Sequence, residues 1–283
     1  MNLLILASGG DAPGMNACLY EICKGLKKHN LFASLYGFRG LVENKITPVN
    51  LKKLQAESKK AGVLYKTSRC EEFKTQLGFK KSLKNLEKNK IDVVVILGGD
   101  GSFKGAKELV NNGIKVIFIP STIDNDMPFE VSCIGYNTAV NACLNYINNV
   151  MPSMEAFDRG CVFEVMGRNN PSICKCCGER ANAGLVIVSQ QDTLTIDFNK
   201  NSNIVILQEN LLNKDVVAKR LEEKYGFEFK SASVGYVQRG TAPTKEEIKL
   251  CKCYAKLAIK AIKAGAFPCL LNILNSEQTI IPL

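Results

Sequence analysis

Apolar residues in this chain come in short runs, and the stretches between them carry helical periodicity. The runs at 3–7, 31–36, 92–97, 116–119, 161–165, 185–188, 203–207 and 231–234 predict strands. Helices are predicted between and after them, at 15–28, 73–89, 102–111, 137–149, 173–182, 213–224 and 245–263. Strand and helix alternate, which is the pattern of a doubly wound α/β fold and not of a bundle or a sandwich. The run at 93–97 is apolar throughout instead of alternating, as suits a parallel sheet covered on both faces. Ligands are then expected beyond the carboxyl ends of the strands. No repeat, heptad or low-complexity tract interrupts the pattern.

Composition narrows the class. With 283 residues, 46% of them hydrophobic, the chain can bury a sizeable core as one large or two modest domains. The first apolar run falls far short of the ~20 residues a bilayer span needs and has no basic segment before it. The sequence therefore reads as that of a soluble, cytoplasmic protein with no membrane partner. Twelve scattered cysteines in a chain of this kind read as reduced packing thiols. Only Cys174, Cys176 and Cys177, with the distant Cys251 and Cys253, approach metal-ligand spacing, and the single histidine, His29, is remote from them. The net charge of +10 is concentrated: residues 51–90 hold twelve Lys or Arg against four Glu. Nucleic acid comes into view, but no aromatic residues interleave with those lysines and no binding signature accompanies them, so a solvated face is expected. What the charge leaves standing is a tolerance for anionic substrates.

Three segments at predicted strand ends carry candidate chemistry. Ser8-Gly9-Gly10-Asp11-Ala12-Pro13-Gly14-Met15-Asn16 follows the first strand and opens a helix, where glycines let backbone N–H groups approach an anion. It is equally compatible with an ordinary glycine-rich turn. Gly98-Gly99-Asp100-Gly101-Ser102, with Gly105 beyond it, is a second such loop. It matches neither the Walker A pattern nor the dinucleotide fingerprint. Asp100 adds a hard oxygen donor of the kind magnesium takes beside phosphates. Pro120-Ser121-Thr122-Ile123-Asp124-Asn125-Asp126 places two carboxylates two residues apart, able to divide metal binding from proton abstraction in phosphoryl transfer. Asp and Asn are also ordinary turn formers. Where lysine is the dominant cation, arginines at strand ends are informative, because guanidinium groups grip phosphate oxygens as a fork. Arg69, Arg159, Arg168 and Arg239 are of this kind.

These segments, with Glu164-Val165-Met166-Gly167-Arg168 and Gly235-Tyr236-Val237-Gln238-Arg239-Gly240, make five ordered matches between residue 3 and about residue 245. On them the chain resembles the ATP-dependent 6-phosphofructokinases of bacterial type. The Gly-Gly-Asp-Gly-Ser portion also occurs in NAD and lipid kinases, but Thr-Ile-Asp-Asn-Asp followed by Met-Gly-Arg does not. The resemblance implies two similar three-layer α/β domains with mostly parallel sheets and an active site in the cleft between them. One domain would comprise 1–135 plus about 240–283 and bind nucleotide; the other, 136–239, would bind sugar phosphate. It implies transfer of the γ-phosphoryl group of MgATP to the 1-hydroxyl of fructose 6-phosphate, a step of glycolysis. Asp124 would be the base, with Asp100 and Asp126 organising Mg2+. Gly10, Arg69, Cys70, Gly101, Ser102 and Gly105 would surround ATP, with Arg69 and Arg168 stabilising the transferring phosphoryl group. Thr122, Met166, Gly167 and Glu209 would hold the sugar, and Arg159, Lys230, Tyr236 and Arg239 its 6-phosphate. Counterparts of Arg159 and Lys230 reach into a neighbouring subunit, so a homotetramer, or at least a dimer, is implied.

The chain departs from the family pattern in three places. Lys230 and Tyr236 stand where arginine and histidine are usual, which implies weaker affinity for fructose 6-phosphate or acceptance of a related sugar phosphate. Tyr20 and Met151 replace arginines of the effector pocket, while Lys24 and Lys200 keep some positive charge, so weakened allosteric control is expected. The chain reaches Leu283 without the final helical stretch usual in relatives, and Pro282 opposes a helix there. Two rival readings differ in kind. Pyrophosphate-dependent relatives carry aspartate at the position of Gly101 and lysine at that of Ser121. A non-catalytic regulatory homologue would have lost Asp124, Asp126, Asp100 or Arg69, all of which are present.

Overall fold

The apolar run in the middle of the first half becomes β4, Val93–Gly98, every residue of which is buried. In the computed structural model, which describes residues 1–195 and 202–283, the elements before it are β1 Asn2–Ala7, α1 Met15–Gly25, β2 Asn30–Ser34, α2 Phe38–Val42, β3 Ile46–Pro48, α3 Leu51–Glu57 and α4 Gln76–Lys88. After it come α5 Asp100–Asn111, β5 Val116–Thr122, β6 Ile134–Gly135, α6 Tyr136–Glu155, β7 Gly160–Val165, α7 Ser172–Arg180, β8 Leu185–Ile187 and α8 Gln190–Thr195. The chain ends with β9 Ile204–Gln208, α9 Lys214–Tyr225, β10 Phe229–Ser233, α10 Val237–Gly240, α11 Lys245–Ala264, β11 Cys269–Leu274 and β12 Glu277–Pro282. Among the described residues no helix is long and apolar enough to cross a membrane.

The chain divides into two compact units: Met1–Thr122, Asp126–Gly135 and Ala242–Leu283 form one, and Ile123–Asn125 with Tyr136–Thr241 the other. The first contains an eight-stranded sheet in the order β12-β11-β5-β4-β1-β2-β3, with β6 added to the end of β5. Its centre is parallel and only the outer pairs β2/β3 and β11/β12 are antiparallel. This is the arrangement in which continuous apolar strands are stable, because helices cover both faces. On one face Leu4, Leu6, Val94, Ile96, Val116 and Phe118 join Phe38, Phe73 and Phe103 in a buried cluster. The other face is covered by α1 and α11, which pack so closely that a Cβ at Gly25 would come within 2.3 Å of Ile259.

The second unit holds a four-stranded sheet among the described residues, in the order β10-β7-β9-β8, parallel throughout. Val162, Val205 and Leu207 pack there against Val217 and Leu221 of α9. Helix ends follow local chemistry. Asn50, Thr75, Asn213 and Thr244 cap α3, α4, α9 and α11 with side-chain oxygens, and Gly226 and Gly265 close α9 and α11 in the left-handed conformation.

All eight expected strands are present within about three residues of their expected limits, and so are the seven expected helices, except that α6 runs on through Pro152 to Glu155. The sequence reading omitted β3, β6, β11 and β12. The first two are three and two residues long, too short for periodicity to register. The terminal pair is a hairpin whose two-residue loop, Asn275-Ser276, has φ of 48° and 72°, the left-handed pair that a tight hairpin turn requires. Residues 269–283 thus complete the edge of the large sheet. The lysines of 51–90 are exposed, as expected of a solvated face.

Candidate active site

In the first unit, three chain segments converge at the carboxyl ends of β1 and β4. Ser8 N–H donates to the Leu97 carbonyl at 2.9 Å, and Ser102 Oγ donates to the Ser8 carbonyl at 3.0 Å, so the two glycine loops are bonded to each other. Thr67 Oγ1 donates to the Gly9 carbonyl at 3.0 Å, which brings the segment carrying Arg69 and Cys70 beside Gly10. Arg69 is exposed and Cys70 is half-buried against the aromatic side of the core. The close approach depends on Gly98: a Cβ there would lie 2.4 Å from Ser102 and 2.9 Å from the Ser8 carbonyl. Gly105 serves packing, since a Cβ would meet the ring of Phe38 at 2.9 Å.

Helix α5 begins at Asp100 without a side-chain cap, and its N-terminus favours negative charge. Gly101 faces open space, with nothing within 4 Å of where a Cβ would stand. Asp100 Oδ2 is 2.6 Å from Lys104 Nζ, an i, i+4 ion pair. At the end of β5, Thr122 Oγ1 is 3.5 Å from Asp126 Oδ1, and a Cβ on Gly99 would lie 3.1 Å from Thr122. Asp100 and Asp126 are hard oxygen donors of the kind Mg2+ takes beside substrate phosphates and water, and no group of three or more His, Cys, Asp or Glu side chains that could hold a metal forms among the described residues.

In the second unit, Asp124 is only 4% exposed, and its Oδ1 lies 3.7 Å from Arg239 Nη2. The next residue, Asn125, has φ of 51°, and its carbonyl accepts from Asn170 Nδ2 at 2.7 Å. The Met166-Gly167-Arg168 turn leaves β7 with Gly167 at φ 157° and Arg168 at φ 52°. Glu209 Oε1 accepts from the Gly167 and Arg168 amides at 3.0 and 2.8 Å. Arg159 and Lys230 meet at one carboxylate, Glu228: the Arg159 Nε–Glu228 pair is tight, and Lys230 Nζ is 2.5 Å from it. Hydrogen bonds from Lys230 and then Arg159 hold the Glu228 carboxyl below its ordinary range. Tyr236 is 82% exposed and touches none of these groups through a described bond.

Sequence reasoning passed over Gln208, Glu228 and, except as part of a quoted motif, Gln238. Gln238 Oε1 accepts from the Met166 amide at 2.7 Å and Gln208 Nε2 donates to the Arg168 carbonyl at 2.9 Å. Gln208 follows directly on an expected strand, a common place for an amide side chain, and beyond the quoted motif no sequence signal marked Glu228 or Gln238. In the supposed effector region, Tyr20 lies under Lys24 with the ammonium 5.6 Å from the ring, and Met151 is buried. Lys200 lies outside the described residues. All twelve cysteines are free. Burial pushes the thiols of Cys23 and Cys161 up to about 12 and that of Cys269 to about 11, the condition of inert packing groups.

The phosphofructokinase family model matches residues 2–263. A Clostridium botulinum protein named ATP-dependent 6-phosphofructokinase is 33% identical over 287 residues, covering 97% of this chain and 90% of its own length. One of the same name from Clostridioides difficile is 33% identical over 272 residues, covering 92% of this chain and 84% of its own. In fold, the chain superposes with a TM-score of 0.86 on phosphofructokinase from Saccharomyces cerevisiae, at 23% identity. That match takes in 99% of this chain and 44% of the yeast chain, so this chain spans less than half of the yeast one. It superposes at 0.82 on a pyrophosphate-dependent phosphofructokinase from Nitrosospira multiformis, at 16% identity and over 99% of this chain and 81% of that one. Matched by the family model over most of its length and by curated relatives over nearly all of it, the chain belongs to the phosphofructokinase family.

Proposed function

We propose that this chain is an ATP-dependent 6-phosphofructokinase, transferring the γ-phosphoryl group of MgATP to the 1-hydroxyl of fructose 6-phosphate to give fructose 1,6-bisphosphate and ADP. The observation that carries the reading is Asp124, a carboxylate kept almost out of solvent beside the Arg239 guanidinium, on the turn that leaves a fully buried strand. A carboxylate so placed is fixed in direction and can take the hydroxyl proton as the oxygen attacks phosphorus. Phosphoryl transfer asks little covalent chemistry of a protein, so the work falls to positioning and charge neutralisation.

The glycine loops bonded through Ser8 and Ser102 would cradle the nucleotide, with Gly10, Arg69, Cys70, Gly101 and Gly105 around it. Asp100 and Asp126 would hold Mg2+, which when bound neutralises charge on the phosphates. Asp100 would exchange its Lys104 contact for the metal, an exposed pair of little intrinsic strength. Thr122, Met166, Gly167 and Glu209 would orient the sugar. Arg69 and Arg168 would stabilise the developing charge, and Arg159, Lys230, Tyr236 and Arg239 would hold the 6-phosphate. Arg159 and Lys230 would serve a neighbouring subunit's site, in a homotetramer or at least a dimer. Tyr20 and Met151, a ring and a buried thioether, support weak or absent allosteric control by anionic effectors. A cytoplasmic enzyme is the corresponding setting.

The open space at Gly101 supports ATP over pyrophosphate as donor, since the side chain that marks pyrophosphate-using relatives is missing there. The full-length protein, assayed with fructose 6-phosphate and Mg2+, should turn over with ATP and show less than a tenth of that rate with pyrophosphate. Turnover with pyrophosphate alone would assign the donor to the rival reading, and turnover with neither would leave a regulatory homologue.

A further inference from the structure

The tripeptide Met166-Gly167-Arg168 has no regular secondary structure, yet each of its three amide N–H groups and the Arg168 carbonyl is bonded to a side chain. Gln238 Oε1 accepts from Met166. Glu209 Oε1 accepts from Gly167 and Arg168. Gln208 Nε2 donates to the Arg168 carbonyl. These groups arrive from both sides of β7: Gln208 and Glu209 from the end of β9, and Gln238 from the short helix α10 that follows β10. The register aligns Gln208 with Val165, the last residue of β7, so its amide reaches forward over the turn.

The turn needs such a grip. Arg168 adopts φ 52°, a conformation that costs a non-glycine residue free energy unless its surroundings impose it. Gly167 is confined to glycine, because a Cβ there would approach the Asn170 carbonyl to 2.8 Å. The two glutamines are themselves buried, Gln238 at 0% and Gln208 at 4% exposure. Their amide orientations are fixed by the bonds they make: an N–H donor faces Gln238 Oε1 and a carbonyl faces Gln208 Nε2, so neither amide can be reversed without placing donor against donor or acceptor against acceptor. Each glutamine leaves one polar atom, Gln238 Nε2 and Gln208 Oε1, buried without a hydrogen-bond partner. A purely structural pair would more cheaply be apolar, since an unsatisfied buried polar atom is costly.

We infer that Gln208 and Gln238 are positioning residues for the sugar-phosphate half of the site: acting through the backbone of Met166-Gly167-Arg168, they fix the turn that presents Met166 to the sugar and Arg168 to the transferring phosphoryl group. The inference rests on the proposed function for what the turn contacts, and on geometry alone for the clamp itself. It also gives Glu209 a second task, because the oxygen it spends on two amides keeps its carboxylate aligned.

The test uses the full-length protein and the variants Gln238→Met and Gln208→Met, which keep length and remove the bonds. Each should raise KM for fructose 6-phosphate by roughly 10-fold or more, the scale of one lost buried hydrogen bond, and leave KM for ATP within about 2-fold. The double variant should cost less than the product of the two, since both act on one turn. Deuterium uptake of the peptide covering 164–170 should accelerate in each. A role confined to stability would lower the active fraction, reducing kcat while both KM values stay put, and that result overturns the inference. Unchanged deuterium uptake at 164–170 in both variants overturns it too, whatever the kinetics. If Gln238→Met fails to fold, Gln208→Met alone decides. If the unmodified protein turns over no fructose 6-phosphate, the functional reading fails, and the deuterium measurement still judges the clamp.

Discussion

Glu228 illustrates how one carboxylate can set the behaviour of two cations. It accepts hydrogen bonds from Lys230 and from Arg159, and its carboxyl is held below the ordinary range by them. The stability these bonds contribute is therefore fully present above the unfolded-state value, about 4.3. It is lost as pH falls through the lower folded value. Carbon-13 NMR titration of Glu228 should give a midpoint below about 4.3, and a midpoint at or above it contradicts the pairing. The sequence disclosed Arg159 because arginines at strand ends stand out where lysine is the dominant cation, and pointed to Lys230 only through the family resemblance. It did not disclose their common partner, since a glutamate before a strand has no distinguishing pattern. The same limit explains Gln208 and Gln238: their role lies in which backbone groups they meet, and only three-dimensional proximity sets that.

Elements were more legible than residues. Buried parallel strands are continuous apolar runs, and β1, β4 and β5 could be read directly from them. The terminal hairpin could not. β12 is mostly exposed, alternates poorly, and ends in Pro282, features that together suppress any strand signal. What anchors this edge is packing against α11. Tyr254 of α11 is fully buried and its hydroxyl donates to the Ser132 carbonyl at 2.8 Å, while the Ser132 amide donates to the Ile273 carbonyl of β11 at 2.8 Å. Tyr254→Phe removes the hydroxyl and leaves that carbonyl short of a donor. Urea denaturation should show a loss of about 1–2 kcal/mol, and a stability equal to that of the unmodified protein would mean the bond is not formed.

At the scale of the whole molecule, the fold class was legible because alternation of strand and helix leaves few alternatives, and the solved structures on which the chain superposes agree with it. The glycine loops were legible because close backbone approach admits only glycine, as at Gly98. Asp124, which the sequence offered with Asp126 as a spaced pair of carboxylates and the family resemblance marked as the base, is kept nearly free of solvent by the fold. The most direct measurement is steady-state turnover of Asp124→Asn with MgATP and fructose 6-phosphate, alongside the affinity of the same variant for the sugar phosphate. With Asp124 as the base, kcat falls by roughly 10²–10⁴-fold while fructose 6-phosphate still binds. A variant that keeps kcat within a few-fold of the unmodified protein would contradict the assignment of Asp124 and the mechanism built on it.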